Sequence, residues 1–165
     1  MTFGVRRAIC YTERIMNKEI SKQDALKFLK EKALAVISTV STAGKPESAT
    51  VIYFIDDNFN FYFVSRRNTR KFENLQLNNN VAIVAGTELI PVTVQIEGTA
   101  ELITGEEGDL LITEIAKRPQ IQSLYFGPFL QLKGIDFAAF KVKINWLRWL
   151  SVDPETGKED YSQII

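Results

Sequence analysis

The chain has 165 residues, 45% apolar and 24% charged, the balance of one globular domain large enough to fold without disulfides or metals. Its 20 basic and 20 acidic residues cancel, which excludes whole-molecule attraction to nucleic acid or anionic lipid and makes any basic site a local one. With no histidine and a single cysteine, Cys10, the chain lacks imidazole triads, His-ligated haem, nearly all catalytic zinc sites, thiolate clusters and intrachain disulfides.

Residues 1–16 read as an N-terminal extension, with Met16-Asn17-Lys18 as an alternative start. Arg6 and Arg7 precede no apolar core of a signal peptide, and no run approaches the roughly 18 apolar residues of a membrane span. A lone thiol suits a reducing, cytoplasmic setting, and Cys10 reads as buried or idle. Ser21 and Asp24 form a capping signature for a helix in which Ala25, Phe28, Leu29 and Ala33 recur at helical spacing.

Three short strands follow, over residues 34–41, 48–55 and 59–65. Turns at Thr42-Ala43-Gly44-Lys45-Pro46 and Asp56-Asp57-Asn58 join them into an antiparallel meander. A short helix over 69–77 ends at the Asn78-Asn79-Asn80 run, and a fourth strand spans 81–85. The fifth, 92–103, alternates cleanly. Val92, Val94, Ile96, Gly98, Ala100 and Leu102 share one face; Thr93, Gln95, Glu97, Thr99 and Glu101 share the other. Thr104 and Glu107 read as a capping box for a helix limited by Pro119. An aromatic loop with Tyr125, Phe126 and Phe129 precedes a sixth strand from Phe137 to about Trp149. The polar tail after Val152 is expected to fray. The pattern is that of a single mostly-β α+β domain over residues 1–165: six antiparallel strands closed into a barrel, with flanking helices.

The segment Ser65-Arg66-Arg67-Asn68-Thr69-Arg70-Lys71 puts four cations within six residues of an otherwise neutral chain. Arg70 and Lys71 fall in the first turn of a helix, where the macrodipole disfavours cations by a few tenths to about 1 kcal/mol each. A bound anion reverses that sign, because cations and free N–H groups then converge on it. The other reading is a solvated basic turn, paired with Asp56, Asp57 or Glu73.

The order of the first helix, "ALAVISTVSTAGKPESATVIYFIDD", "FYFVSRRNTRKFENLQLNNNVAIV" and "VTVQIEGTAEL" resembles the pyridoxamine 5'-phosphate oxidase-like split-barrel flavoproteins, over roughly residues 21–103. The resemblance implies a split barrel and a homodimer with FMN between the subunits. It places the backbone of Ala49, Thr50 and Val51 along the flavin ring, and brings in Phe63, Val64 and Ser65 from the next strand. Arg70 and Lys71 would grip the phosphate, helped by Ser65, Arg66 and Thr69. Thr93 and Gln95 would face the partner's flavin, and Trp146 would line the pocket or serve as a core anchor. The family's C-terminal substrate segment carries a histidine; Asn145-Trp146-Leu147-Arg148-Trp149 stands here instead, so oxidation of vitamin B6 phosphates is not expected.

Three functions stay open on this reading. They are an FMN-dependent oxidoreductase passing hydride or electrons to a small acceptor, a non-catalytic flavin-binding protein, and an interaction module binding a phosphorylated ligand. NADH or NADPH is the candidate donor, and the deazaflavin F420 the alternative cofactor. No catalytic side chain, metal, nucleic acid or membrane partner is expected.

Overall fold

The computed structural model describes residues 20–86, 92–122, 136–153 and 156–165. The expectations for residues 1–16, Cys10 and the 125–129 aromatics lie outside them. Helix α1, Lys22–Glu31, starts with the expected capping box: the Asp24 amide donates to the Ser21 hydroxyl, and the Ser21 amide to the Asp24 carboxylate at 3.0 Å. Its apolar stripe of Ala25, Leu26, Phe28 and Leu29 is buried in the main core. There Phe28 meets Trp149 edge to face, and the buried Tyr53 hydroxyl donates to the Leu29 carbonyl at 2.9 Å.

The strands are β1 (Leu34–Val40), β2 (Pro46–Ile55), β3 (Asn60–Arg66), β4 (Asn80–Ala85), β5 (Val92–Ile103), β6 (Phe137–Val152) and β7 (Glu159–Gln163). All pairings are antiparallel, in the order β3-β2-β1-β4-β5-β6-β7, and a further β3–β6 pairing closes the first six into a barrel. On β5 the expected alternation is observed, with Val92, Val94, Ile96, Gly98 and Ala100 facing inward.

Between Glu97 and Gly98 the β5–β6 register shifts: Gly98 stands opposite Ile144 and Glu97 opposite Trp146, so Asn145 is an extra residue. Inward positions on β6 therefore change parity, from Ala138, Phe140 and Val142 to Leu147, Trp149 and Ser151. Gly98 fits this spot because a Cβ there would come within 2.5 Å of the Lys143 carbonyl oxygen.

Helix α2 (Arg70–Leu77) packs against β1, β2 and β3. Helix α3 (Gly105–Lys117) and the short α4 (Pro119–Gln122) build a second cluster, with Ile115, Ala116 and Ile121 against Val64 and Ala33. Among the described residues no helix is long and apolar enough to cross a membrane.

Two local expectations need correction. Thr104 makes no side-chain bond to the first turn of α3; the chain enters that helix through Gly105 at φ +66°, a left-handed entry in place of the capping-box geometry. The tail is not frayed. Residues 159–163 pair with Val152 to Arg148 as β7, Ile164 and Ile165 pack against the core, and the Leu147 amide donates to the Ile165 carbonyl at 3.1 Å. Edge pairing to an existing strand plus two terminal isoleucines outweighs the polar composition of this segment.

Candidate functional site

The site arises where a ladder opens. β2 and β3 pair at only three positions, Tyr53↔Phe63, Phe54↔Tyr62 and Ile55↔Phe61. Continued by one, that register would set Ile52 against Val64, but there the strands part. Residues 64–66 pair with β6, and residues 50–52 with β1. The Tyr53 amide donates to Ala33 on the β1 side. Backbone groups alternate along a strand, so those of Thr50 and Ile52 point the other way, toward the gap. Buried or half-buried backbone groups demand partners, so this opened edge is a ready row of donors and acceptors.

The gap is an open cleft of about 270 Å³. Its strand walls are Leu34, Thr50, Val51, Ile52, Val64, Ser65 and Phe137; Arg66, Thr69 and Lys71 form its basic end. Thr69 is the N-cap of α2, yet its hydroxyl does not cap the helix. It bonds to the Arg66 carbonyl at 2.8 Å and to the Ser65 hydroxyl at 2.9 Å. The first amides of α2, on Arg70 and Lys71, have no partner inside the helix. The turn is thus held from behind, and among the described residues no group outside the helix accepts from these two amides.

The four cations of the segment have different fates. Arg67 pairs with Asp136 at 3.0 Å and lies over the Phe72 ring. Arg70 points away from the cleft, 78% exposed, and pairs with Glu47 at 2.8 Å. Arg66 lines the cleft. Lys71 lines it too, is half-buried, and forms no ion pair with any described residue. Burial holds its ammonium below the usual lysine range.

Of the residues that the resemblance implied, Thr50, Val51, Val64, Ser65, Arg66, Thr69 and Lys71 line this one cleft. Ala49, Phe63 and Arg70 do not. Ala49 stands opposite Ile37 beside the cleft, and Phe63 is fully buried, stacked on Phe140 with centroids 5.0 Å apart. Thr93, Gln95 and Trp146 lie on β5 and β6, on the outer face of the sheet. There Gln95 accepts from Arg148 at 2.8 Å, and the Arg148 guanidinium sits over the rings of Trp146 and Tyr161. The register sets Thr50, Val36, Val84, Gln95 and Arg148 in one row across five strands. Sequence reasoning misses Phe137, Ile52 and Leu34, apolar wall residues with no chemical signature, and Glu47, whose partners are distant in the chain.

No curated protein matches the chain. Among solved structures, a pyridoxamine 5'-phosphate oxidase-related, FMN-binding protein from Nostoc punctiforme is similar with a TM-score of 0.59 at 11% identity, covering 87% of this chain and 96% of that one. The haem storage protein HutZ of Vibrio cholerae gives 0.58 at 17% identity, covering 76% and 92%. A haem-binding protein from Mycobacterium smegmatis gives 0.58 at 18% identity, covering 84% of this chain but 56% of that one. At these identities the likeness speaks for the fold. The family model described as pyridoxamine 5'-phosphate oxidase matches residues 21–148. With that match over residues 21–148, the chain belongs to the pyridoxamine 5'-phosphate oxidase family.

Proposed function

We propose that the cleft holds FMN, and that the protein is an FMN-dependent oxidoreductase working on a small acceptor in the cytoplasm. One observation carries this reading: a half-buried lysine without an ion pair among the described residues sits beside an uncapped helix start, at the end of an opened strand edge. A buried cation is costly unless paired, and a phosphate would pair it through charge-assisted bonds. The donor set fits the cofactor. Lys71, Arg66 and the first amides of α2 would hold the phosphate. The backbone of Thr50 and Ile52 would meet the polar edge of a planar ring, with Val64, Phe137 and Leu34 against its apolar body. Bound there, FMN would supply hydride or electron transfer.

The protein's own part is binding, orientation and exclusion of water. Among the described residues no carboxylate lines the cleft, and the chain has no histidine, so these walls offer Lys71 no acid–base partner. Haem-handling relatives share the fold, but this chain brings no imidazole to ligate iron.

The cleft is open on one side, and 270 Å³ is small for a cofactor of this size. The outer sheet face beside it carries half-buried Val36 and Val84 in the Thr50 row. We infer a homodimer built on this face, which would bring Gln95 and Trp146 of one copy toward the cleft of the other. The test is a visible spectrum of the purified protein, release and identification of the cofactor, then reduction by NADH or NADPH. Bound FMN reducible by either supports the reading. A colourless protein that takes up neither FMN nor F420 would overturn it. Sedimentation at micromolar concentration should give a dimer, and a flavin-loaded monomer would refute the interface.

A further inference from the structure

Glu47 is only 18% exposed in its side chain, and both of its carboxylate oxygens are used. Oε1 accepts from Arg70 Nη1 at 2.8 Å, and Oε2 from Asn74 Nδ2 at 3.1 Å. Asn74, itself buried, also donates to the buried Thr39 hydroxyl at 3.0 Å, and that hydroxyl reaches back toward the Glu47 carbonyl at 3.5 Å. The ring ties the end of β1 and the start of β2 to α2. Arg70 and Asn74 are four apart, so they share one helical face. Lys71 lies about 100° further round the same turn, which aims it away from Glu47, and it lines the cleft.

An apolar contact would anchor a helix as well as a buried polar ring does. What this carboxylate adds is direction: two fixed acceptors set the helix's rotation as well as its position. We propose that Glu47 is a positioning residue of the cofactor site: through Arg70 and Asn74 it fixes the turn that carries Lys71, and so sets the preference for a phosphorylated flavin. This rests on the FMN reading above. Glu47 touches no cofactor atom; its effect passes through the helix.

The test compares FMN with riboflavin, which has the same ring and no phosphate, by calorimetric titration of the full chain. The unaltered protein should bind FMN at least tenfold tighter. Glu47→Ala should lower FMN affinity about tenfold and leave riboflavin affinity unchanged, with Glu47→Gln, which keeps one acceptor oxygen, intermediate. Should Glu47→Ala not fold, Glu47→Gln alone reads the same ratio. Equal loss for both ligands would make Glu47 merely structural and overturn the proposal. Tighter FMN binding in Glu47→Ala would show that the carboxylate withholds Arg70 from the phosphate, and would overturn it too. An unchanged ratio in the variants, with the unaltered protein still preferring FMN, removes Glu47 alone. No preference in the unaltered protein removes the phosphate site, and Glu47's role with it.

Discussion

The two sides of the barrel treat their backbones differently. β5 and β6 pair through twelve successive positions of β5, interrupted only by the bulge, whereas β2 and β3 pair through three and part. The continuous ladder satisfies its amides internally and buries Leu147 and Trp149 behind it. The interrupted one leaves backbone groups and a half-buried cation facing a cleft. Such a gap is tolerable only if the rest of the barrel supplies the stability, and it is useful only if something fills it. On this view stability and binding are carried by different junctions of the barrel, and substitutions should separate them.

The largest effect is expected on the closed wall. Trp149, 1% exposed against Phe28, should cost about 3–5 kcal/mol of unfolding free energy as Trp149→Ala, read by chemical denaturation. A cost below about 1 kcal/mol would mean that this wall does not carry the fold. On the open wall, Lys71→Ala should weaken FMN binding by about 1.5–3 kcal/mol, roughly ten- to more than a hundredfold, by calorimetry. The cofactor-free protein should be no less stable for it, since the substitution removes a poorly solvated charge. A large loss of stability would break the division between walls. Gly98→Ala presses a methyl against the Lys143 carbonyl and should cost about 1–3 kcal/mol without altering flavin affinity.

How much of this could be read from sequence depends on range. The limits of β5 are plain because alternation is a local signal, and the capping box of α1 lies within four residues. The basic turn is visible as a cluster of charge. Which of its cations is left for a ligand is not, because Glu47 lies 23 positions from Arg70 and Asp136 lies 69 from Arg67. The two residues expected to grip a phosphate together stand about 100° apart round the helix, Arg70 on Glu47 and Lys71 at the cleft. β7 escapes notice for the opposite reason. Its five residues, EDYSQ, carry no strand pattern, and only an available edge makes them one.

The smallest expected effect is at the turn that holds the two walls of the split together. Asp56 is partly buried, which by itself raises its pKa, but bonds from the Asn60 side chain and amide, the Asn58 amide and the Tyr62 hydroxyl outweigh this and hold it below its ordinary 3.8. A carboxyl depressed in the folded state stabilises above its unfolded value and loses that contribution as pH falls through its folded one. Asp56→Asn should therefore be destabilising at neutral pH, and the gap to the unaltered protein should close as pH falls below 3.8. A gap independent of pH, measured by denaturation across this range, would show that the carboxylate's charge plays no part in the turn.

The bulge at Asn145 has a consequence for how this strand can vary over time. Because the extra residue resets the alternation, Val142 and Leu147, an odd five positions apart, both face inward. Removing Asn145 would make Gly98↔Ile144 and Glu97↔Trp146 successive pairs, closing the bulge while Leu147 and Trp149 stay inward. Paired straight through with Asn145 kept, the strand would instead turn Trp146 and Arg148 inward and Leu147 and Trp149 out, emptying the core and scrambling the outer surface in the same event. The bulge thus carries the face assignment of every residue after it. Relatives of this chain should therefore keep inward apolar residues at the positions of Leu147 and Trp149 whether they hold the bulge or lack this one residue.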